Sequence, residues 1–411
     1  MKPCRMYGAH HSALLSSKDK MGKRKENILL WATDHRVLLG LWLLIGVIAA
    51  LTKLPHHSYN NFLIFEGEFW HTWNLTPLYI EYPAEYYDVN HYGPLFSLVI
   101  APFAVVPHWL GLLSWCVCLS LFCYWAVSKS TLTRRQQVFV YWFCAHELLT
   151  ALFMQQFNVG IAAMLLFTFY CVEKEKDWLA TLCIVSGMYI KLYGIVGLAF
   201  FFFSRHKGKF VFSFLLWSIL LFIAPMLISS PAYIIGQYKD WYIELVHKNA
   251  INNFGDGEGI RSNHTNISLL GIVRRLTLGS YSDLWLIIPG LMLFCTPYLR
   301  LSQWCNLPFR QMFLASAMMF MCLFSTGTES SGYITALIGC CVWYCCVPWQ
   351  RSRLDIALMV LAFVLTSLSP SDLVPAWIRN EWIKPFALKA LPVSIIWFKL
   401  CYEMLTRNYN K

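Results

Sequence analysis

The sequence has few charged residues for its length. Asp, Glu, Lys and Arg together make up 13% of the 411 residues, and hydrophobic residues make up 57%. A soluble domain usually carries about 25% charged residues. This shortage excludes an ordinary soluble enzyme and indicates a chain that crosses a membrane several times.

Three other signals are also missing. No CxxC pair is followed by a second pair at zinc spacing, so the 15 cysteines are interpreted as small buried hydrophobic residues. The positive residues, which give a net charge of +11, are not interleaved with aromatic residues but form short clusters between apolar runs. No small-residue cleavage site follows the first apolar run. We therefore expect no metal ion, no cofactor, no nucleic-acid partner and no signal peptide.

Apolar runs of near membrane-spanning length alternate with short polar connections from residue 36 to residue 405. They predict an all-α integral membrane protein with about twelve spans. A cytoplasmic tail, residues 1–30, precedes a single transmembrane domain, residues 31–411. The runs 178–190 and 193–204 are short and are predicted to be half-helices that meet at Lys191.

Lys and Arg in the short connections predict which loops face the cytoplasm. With both termini inside, the connections rich in Lys and Arg lie on the cytoplasmic side. The long loops 54–109 and 230–282 then lie on the outer face. This orientation requires that the segment 94–107, which is bracketed by prolines, does not cross the membrane. We predict that it is re-entrant or lies at the interface.

The first outer loop is acidic and aromatic. Residues 56–94 contain no Lys or Arg but five carboxylates: Glu66, Glu68, Glu81, Glu85 and Asp88. Long loops are more often functional than short ones. A carboxylate within reach of a hydroxyl can act as a general base, and Asp88, Glu85 and Glu66 are the candidates. The alternative for any one of them is a solvated loop carboxylate.

Lys191 interrupts an apolar stretch, GMYIKLYG. An ammonium group at the bilayer centre costs a few kcal/mol unless it is paired or solvated. We interpret Lys191 as functional, with a phosphate or a first-loop carboxylate as its partner. The alternative is a lysine that snorkels from a short helix end.

Weaker candidates occur elsewhere on the predicted outer face. His146 and Glu147 fit structural support of a site or a proton relay, and the amides of Gln155, Gln156 and Asn158 fit donors to hydroxyls or phosphate. The paired Arg274 and Arg275 fit either a lipid phosphate or a headgroup anchor. Glu329, at a short tip, fits either a site residue or a salt bridge.

Seven segments, taken in order, resemble the multispanning GT-C enzymes of glycosyltransferase family 87, and in particular members from Bacteroidetes. They are NNFLIF (60–65), LYIEYPAEYYDVNHYGPLFSLVIAPFAVVP (78–107), ELLTALFMQQFNVG (147–160), GMYIKLYGIVGLAFFFF (187–203), NISLLGIVRRL (266–276), ESSGYITALIG (329–339) and LKALPVSIIW (388–397). Each motif alone is degenerate, whereas their order and spacing are fairly specific. The resemblance covers most of the chain from about residue 30.

The resemblance implies a GT-C fold with amphipathic helices in the first outer loop. It also implies metal-independent, inverting transfer of mannose or another hexose or pentose from a polyprenyl-phosphate donor to a lipid or glycan acceptor. The site would face the periplasm from a bacterial inner membrane. Asp88, Glu85 or Glu66 would be catalytic, and Lys191, Arg274 and Arg275 would bind the donor phosphate. The substrate-binding residues would be Asn61, Tyr92, Gln156, Asn158, Asn266 and Glu329.

The chain departs from the family pattern at two places. The family's first loop commonly begins with an Asp-Phe-x-Val-Tyr-like motif, where this chain has Asn61 followed by Phe-Leu-Ile-Phe. Asn cannot act as a base, so the base assignment stays open. Near the later tip, where many members have a Trp-x-His-type motif, this chain has Glu329 followed by Ser-Ser-Gly-Tyr.

A transporter or flippase for a lipid-linked or small anionic substrate is the alternative function. It would use Lys191 with Glu147 or Glu329 as substrate and ion sites. Transporters concentrate polar residues at mid-span in several helices. This chain places most of them at outer helix ends and in outer loops, which favours the enzyme.

Overall fold

The computed structural model describes residues 30–254, 265–278 and 281–410, and within these ranges it contains helices and no strand. The predicted cytoplasmic tail therefore lies almost wholly outside the described residues. We number the helices α1 His35–Lys53, α2 Asn60–Asn74, α3 Phe96–Ala104, α4 His108–Lys129, α5 Arg134–Phe143, α6 Ala145–Phe153, α7 Asn158–Glu173, α8 Asp177–Lys191, α9 Lys207–Ile223, α10 Pro231–Phe254, α11 Leu269–Thr277, α12 Leu284–Cys295, α13 Leu307–Leu323, α14 Tyr333–Cys345, α15 Arg353–Leu361, α16 Ala376–Ile378 and α17 Leu391–Thr406.

In the part of the chain that the structure describes, three helices are long and apolar enough to cross a membrane, judged by length and composition. They are α1, α4 and the continuous helix Lys207–Leu227 that begins with α9. A fourth candidate is the pair Ala376–Ile383 and Leu388–Thr406, which is bent by 83°. Five further apolar helices have 10 to 17 residues. The structure thus has several apolar helices compatible with a membrane GT-C fold, and the count of about twelve spans stays a prediction.

The core and the outer surface differ as expected for a protein in a lipid bilayer. Helices α7, α13 and α14 are buried along most of their length. By contrast, α9 exposes large apolar side chains such as Phe212, Leu215 and Ile219. Apolar side chains on the outside are stable when lipid, rather than water, surrounds them.

The helix breaks at Lys191, where the sequence predicted that two half-helices meet. Helix α8 ends at Lys191, Leu192 takes a left-handed conformation with φ 57°, and a 3₁₀ segment runs over Tyr193–Phe203. The two arms pack closely because Gly187 and Gly194 face each other, where a Cβ on Gly187 would lie 2.9 Å from the Gly194 Cα. The break leaves the Lys191 side chain at the turn.

The predicted outer loops contain helices that position the site. The segment 94–107 forms α3, whose nine residues rise about 13.5 Å, less than half of a bilayer core. This helix alone is too short to span, and the predicted re-entrant or interfacial placement of the segment stays a prediction. The first loop also contains α2, and the second contains the 24-residue α10.

Candidate active site

A cavity of about 410 Å³ opens where α2, the segment 87–92, the turn after α6 and α10 meet. Six residues that the sequence proposed for a site line this cavity. They are Asn61, Asp88, Tyr92, Gln155, Gln156 and Glu329. Residues from four separate stretches of the chain thus share one space.

Hydrogen bonds to the backbone of the preceding residue, Tyr87, hold Asp88 at the cavity. The Asn60 side chain accepts from the Tyr87 N–H at 2.9 Å and donates to the Tyr87 carbonyl at 2.5 Å, which ties this segment to the start of α2. Asp88 itself has φ 77°, a left-handed conformation that Asp tolerates better than most residues. Its side chain is 55% exposed, so the carboxylate is open to an incoming group.

Helix α10 supplies a wall of the cavity that the sequence reasoning missed. The Trp241 indole donates to the His91 carbonyl at 2.9 Å, and Glu244 lies 3.2 Å from the His91 ring. Lys248 lies 3.9 Å from the Asp88 carboxylate. These three residues recur at spacings of three and four, which places them on one helix face. This spacing is the sequence pattern from which these residues could have been predicted to act together.

Lys191 is the centre of a hydrogen-bonded network next to the cavity. Its ammonium group donates to Asn158 Oδ1 at 2.9 Å, to Gln156 Oε1 at 3.2 Å and to the Tyr92 hydroxyl at 3.4 Å. It also lies 5.1 Å from the centre of the Tyr92 ring. The predicted carboxylate partner is not in contact, because neutral oxygen atoms occupy the three donor directions.

The network continues to the tip that contains Glu329. Gln156 Nε2 donates to Glu329 Oε2 at 2.7 Å. Ser331 donates to Gln156 Oε1 at 2.9 Å and accepts from Asn158 Nδ2 at 2.8 Å. The amide of Gln156 therefore bridges Glu329 and Lys191.

A buried ion pair supports the tip from the other side. Lys389, which is 2% exposed, lies 2.7 Å from a carboxylate oxygen of Glu147, which is fully buried. Lys389 also donates to the side chain and the carbonyl of Ser330, at 2.9 and 3.0 Å. These contacts favour the structural interpretation of Glu147, since this residue holds the chain beside Glu329.

The other two candidate bases lie away from the cavity. Glu66 is buried against the His108 ring at 2.5 Å. Burial raises the pKa of Glu66 to about 7, although the neighbouring His108 lowers it. Glu85 is half exposed and lies 3.1 Å from His71, whose pKa is lowered by burial. Neither carboxylate faces the residues that line the cavity.

Another carboxylate of the first loop, Glu68, was not a candidate base. It is 1% exposed, and burial raises its pKa well above the ordinary value of 4.5. Glu68 does not line the cavity, so it is not within reach of a hydroxyl bound there.

The second loop's candidate residues also lie outside the cavity. Arg274 pairs with Asp283 at 2.5 Å and donates to the Tyr281 carbonyl. Arg275 is buried and donates to the Lys384 carbonyl at 3.2 Å. Asn266 accepts from Ser268, the residue that caps the start of α11. Their role in binding substrate stays a prediction.

Comparison with known families identifies the class of protein. The model of glycosyltransferase family 87 matches residues 90–326, which is more than half of the 411 residues. The helical fold and this match define a membrane glycosyltransferase of the GT-C type. The chain belongs to glycosyltransferase family 87. No curated protein matches it.

The matched region contains only part of the site, because it begins two residues after Asp88. It includes Asn90, His91 and Tyr92, the turn at Lys191 and helix α10, and it ends three residues before Glu329. Among the residues that the structure describes, no group of three His, Cys, Asp or Glu side chains is arranged to hold a metal ion.

Proposed function

We propose that the protein transfers a sugar, mannose or another hexose or pentose, from a polyprenyl-phosphate donor to a lipid or glycan hydroxyl. The observation that carries this proposal is the cavity in which an exposed carboxylate, Asp88, faces amide and carboxylate groups from three other parts of the chain. Membership in family 87 supports the reaction class.

Asp88 is the proposed base. Its carboxylate takes the proton of the acceptor hydroxyl while the hydroxyl oxygen attacks the anomeric carbon of the donor sugar. The bond from that carbon to the phosphate oxygen breaks, and the electron pair leaves with the lipid phosphate. Attack opposite the leaving group inverts the anomeric configuration. Asp88 fits this role better than Glu66 or Glu85, because it alone of the three lines the cavity.

The polar network has the groups needed to orient the sugar. Gln156 and Glu329 both line the cavity and are hydrogen-bonded to each other. Amide and carboxylate groups suit sugar hydroxyls, which both donate and accept. Lys191 holds Gln156 and Asn158 in place and adds positive charge near the donor phosphate.

We also propose the placement in the membrane. The site faces the periplasm of a bacterial inner membrane, with both termini cytoplasmic and the loops 54–109 and 230–282 outside, in a single domain over residues 31–411. The three or four candidate spans, together with the shorter apolar helices, would give about twelve crossings. The clustering of Lys and Arg in short connections supports this orientation.

A transfer assay tests the proposal. Purified protein in detergent would be given radiolabelled polyprenyl-phosphate sugars and a lipid extract from the native host. We expect wild type to move the label and Asp88→Asn to lose at least about 100-fold in rate, because a positioned base contributes 10²- to 10⁴-fold. Glu85→Gln is the matched control, since Glu85 lies in the same loop outside the cavity, and it should keep its activity.

Two outcomes would contradict the proposal. Equal rates for wild type and Asp88→Asn would remove Asp88 as the base. Substrate flux across proteoliposomes without chemical conversion, and no transfer from any donor, would favour the transporter. The anomeric configuration of the product, measured by NMR, tests inversion separately.

A further inference from the structure

Two lysines that the sequence did not single out, Lys53 and Lys248, line the cavity. A departing phosphate needs cations or donors that meet its growing negative charge. Lys191 does not line the cavity, and its donors meet neutral oxygen atoms of the protein. Arg274 already pairs with Asp283. Among the residues that the structure describes, the lysines that line the cavity are therefore Lys53 and Lys248.

Lys53 points into the protein. It is the last residue of α1, and the residues seven, four and three positions before it are Gly46, Ala49 and Ala50, all of which are buried. Side chains at these spacings share one helix face. The Lys53 ammonium lies 5.2 Å from the centre of the Phe153 ring, another residue of the cavity. A lysine that snorkels would instead point outward, toward lipid headgroups.

The position of Lys53 along α1 matches the depth of a lipid phosphate. Helix α1 is one of the candidate spans, so its last residue lies where the apolar core gives way to the headgroup region. A lipid whose chain lies beside the protein would carry its phosphate at this level. None of the ion pairs formed by the described residues includes Lys53.

Lys248 brings a second ammonium group to the same cavity. It follows Trp241 and Glu244 by seven and four residues on α10, and both of these contact His91. Its side chain is 22% exposed and lies 3.9 Å from Asp88. That distance is too long for a hydrogen bond, so the ammonium group of Lys248 can still donate to a bound anion.

We propose that Lys53 and Lys248 bind the phosphate of the lipid-linked donor and stabilise it as it leaves. The proposal rests on the proposed function and adds the residues that form its phosphate site. As the bond from the sugar to the phosphate oxygen breaks, the electron pair remains on that oxygen. Its charge is met by the two ammonium groups, while the acceptor's proton goes to Asp88.

Binding of a product analogue tests this site without any sugar transfer. Farnesyl phosphate is titrated into the full chain in detergent, and its uncharged counterpart farnesol is titrated in parallel. We expect Lys53→Met and Lys248→Met each to weaken farnesyl phosphate binding at least about tenfold, because hydrogen bonds between charged groups are stronger than those between neutral groups. Farnesol binding should not change. Lys248→Arg, which keeps the charge, should restore most of the affinity.

Lys239→Met is the matched control. Lys239 is exposed on the same helix as Lys248 and does not line the cavity. It should bind farnesyl phosphate as wild type does, since general loss of positive charge on α10 is not the proposed cause.

The possible results separate this proposal from the proposed function. Wild-type affinity for farnesyl phosphate in both lysine variants would overturn the phosphate site, even if sugar transfer is found. An equal loss of farnesol affinity would also overturn it, because a damaged fold rather than the lost charge would be responsible. Absence of farnesyl phosphate binding by wild type would overturn it as well. If the lysine variants bind farnesyl phosphate more weakly but farnesol equally well, and wild type transfers no sugar from any donor, the phosphate site is supported and the transferase function is refuted.

Discussion

Replacing Lys389 by Met should destabilise the protein strongly. The change removes the ammonium group that lies 2.7 Å from the Glu147 carboxylate. Glu147 is fully buried and Lys389 is 2% exposed, so water cannot replace the lost partner. Breaking a buried pair from one side typically costs about 3–5 kcal/mol, because an uncompensated charge remains inside. We expect the free energy of unfolding to fall by about this amount.

The double variant Glu147→Leu/Lys389→Met should recover most of that loss. Removing both charges leaves no unpaired group, and apolar replacements of buried pairs are often neutral. The variants would be compared by thermal unfolding in detergent. Sugar transfer should stay reduced even in the double variant, because Lys389 also donates to Ser330 next to Glu329.

Arg205→Met provides the control for this experiment. Arg205 pairs with Glu175 at 2.8 Å, but the Arg205 side chain is 78% exposed. Such a pair contributes about 0–1 kcal/mol. The reasoning is refuted if Lys389→Met is as stable as Arg205→Met, or if the double variant is less stable than Lys389→Met alone.

Three further changes probe the site and its surroundings. Lys191→Met removes the donors to Asn158 and Gln156, so transfer should fall about 100-fold or more in rate while expression persists; wild-type kinetics would contradict this. Gly93→Ala would place a Cβ 2.1 Å from the Tyr189 carbonyl, and we expect a loss of about 1–3 kcal/mol in thermal unfolding; unchanged stability would show that the backbone has room to shift. Burial raises the pKa of Glu66 from 4.5 to about 7, so its contribution to stability is present below pH 4.5 and is lost as the pH rises to 7. Glu66→Gln should flatten this decline in stability, which is worth up to about 3 kcal/mol. Melting curves measured between pH 4.5 and 7 test this, and a pH profile equal to that of wild type would contradict it.

The membrane class and several helix boundaries were predictable from the sequence because they depend on local properties. A shortage of charge and a series of apolar runs identify a membrane protein without any knowledge of contacts. The break at Lys191 was predictable because the flanking apolar runs are too short to span separately. Prolines on either side of the segment 94–107 predicted that it does not cross the membrane; the structure has the nine-residue α3 there, and its placement at the membrane stays a prediction.

The choice among the acidic residues of the first loop could not be made from the sequence. Glu66 and Asp88 are both carboxylates in the same acidic stretch, and nothing local distinguishes them. In the structure, Glu66 packs against His108 from the start of α4, whereas Asp88 opens to the cavity. Burial and partner, not residue type, therefore separate a candidate base from a buried structural group.

The sequence alone determined that this is a helical membrane protein resembling family 87, and which residue types were available for chemistry. Only the tertiary structure decided that Lys53, Asp88, Gln156, Lys248 and Glu329 share one cavity. The physical reason is that helix-forming and membrane-crossing tendencies depend on neighbouring residues. A site, by contrast, depends on which helix faces meet, and that is set by packing between segments far apart along the chain.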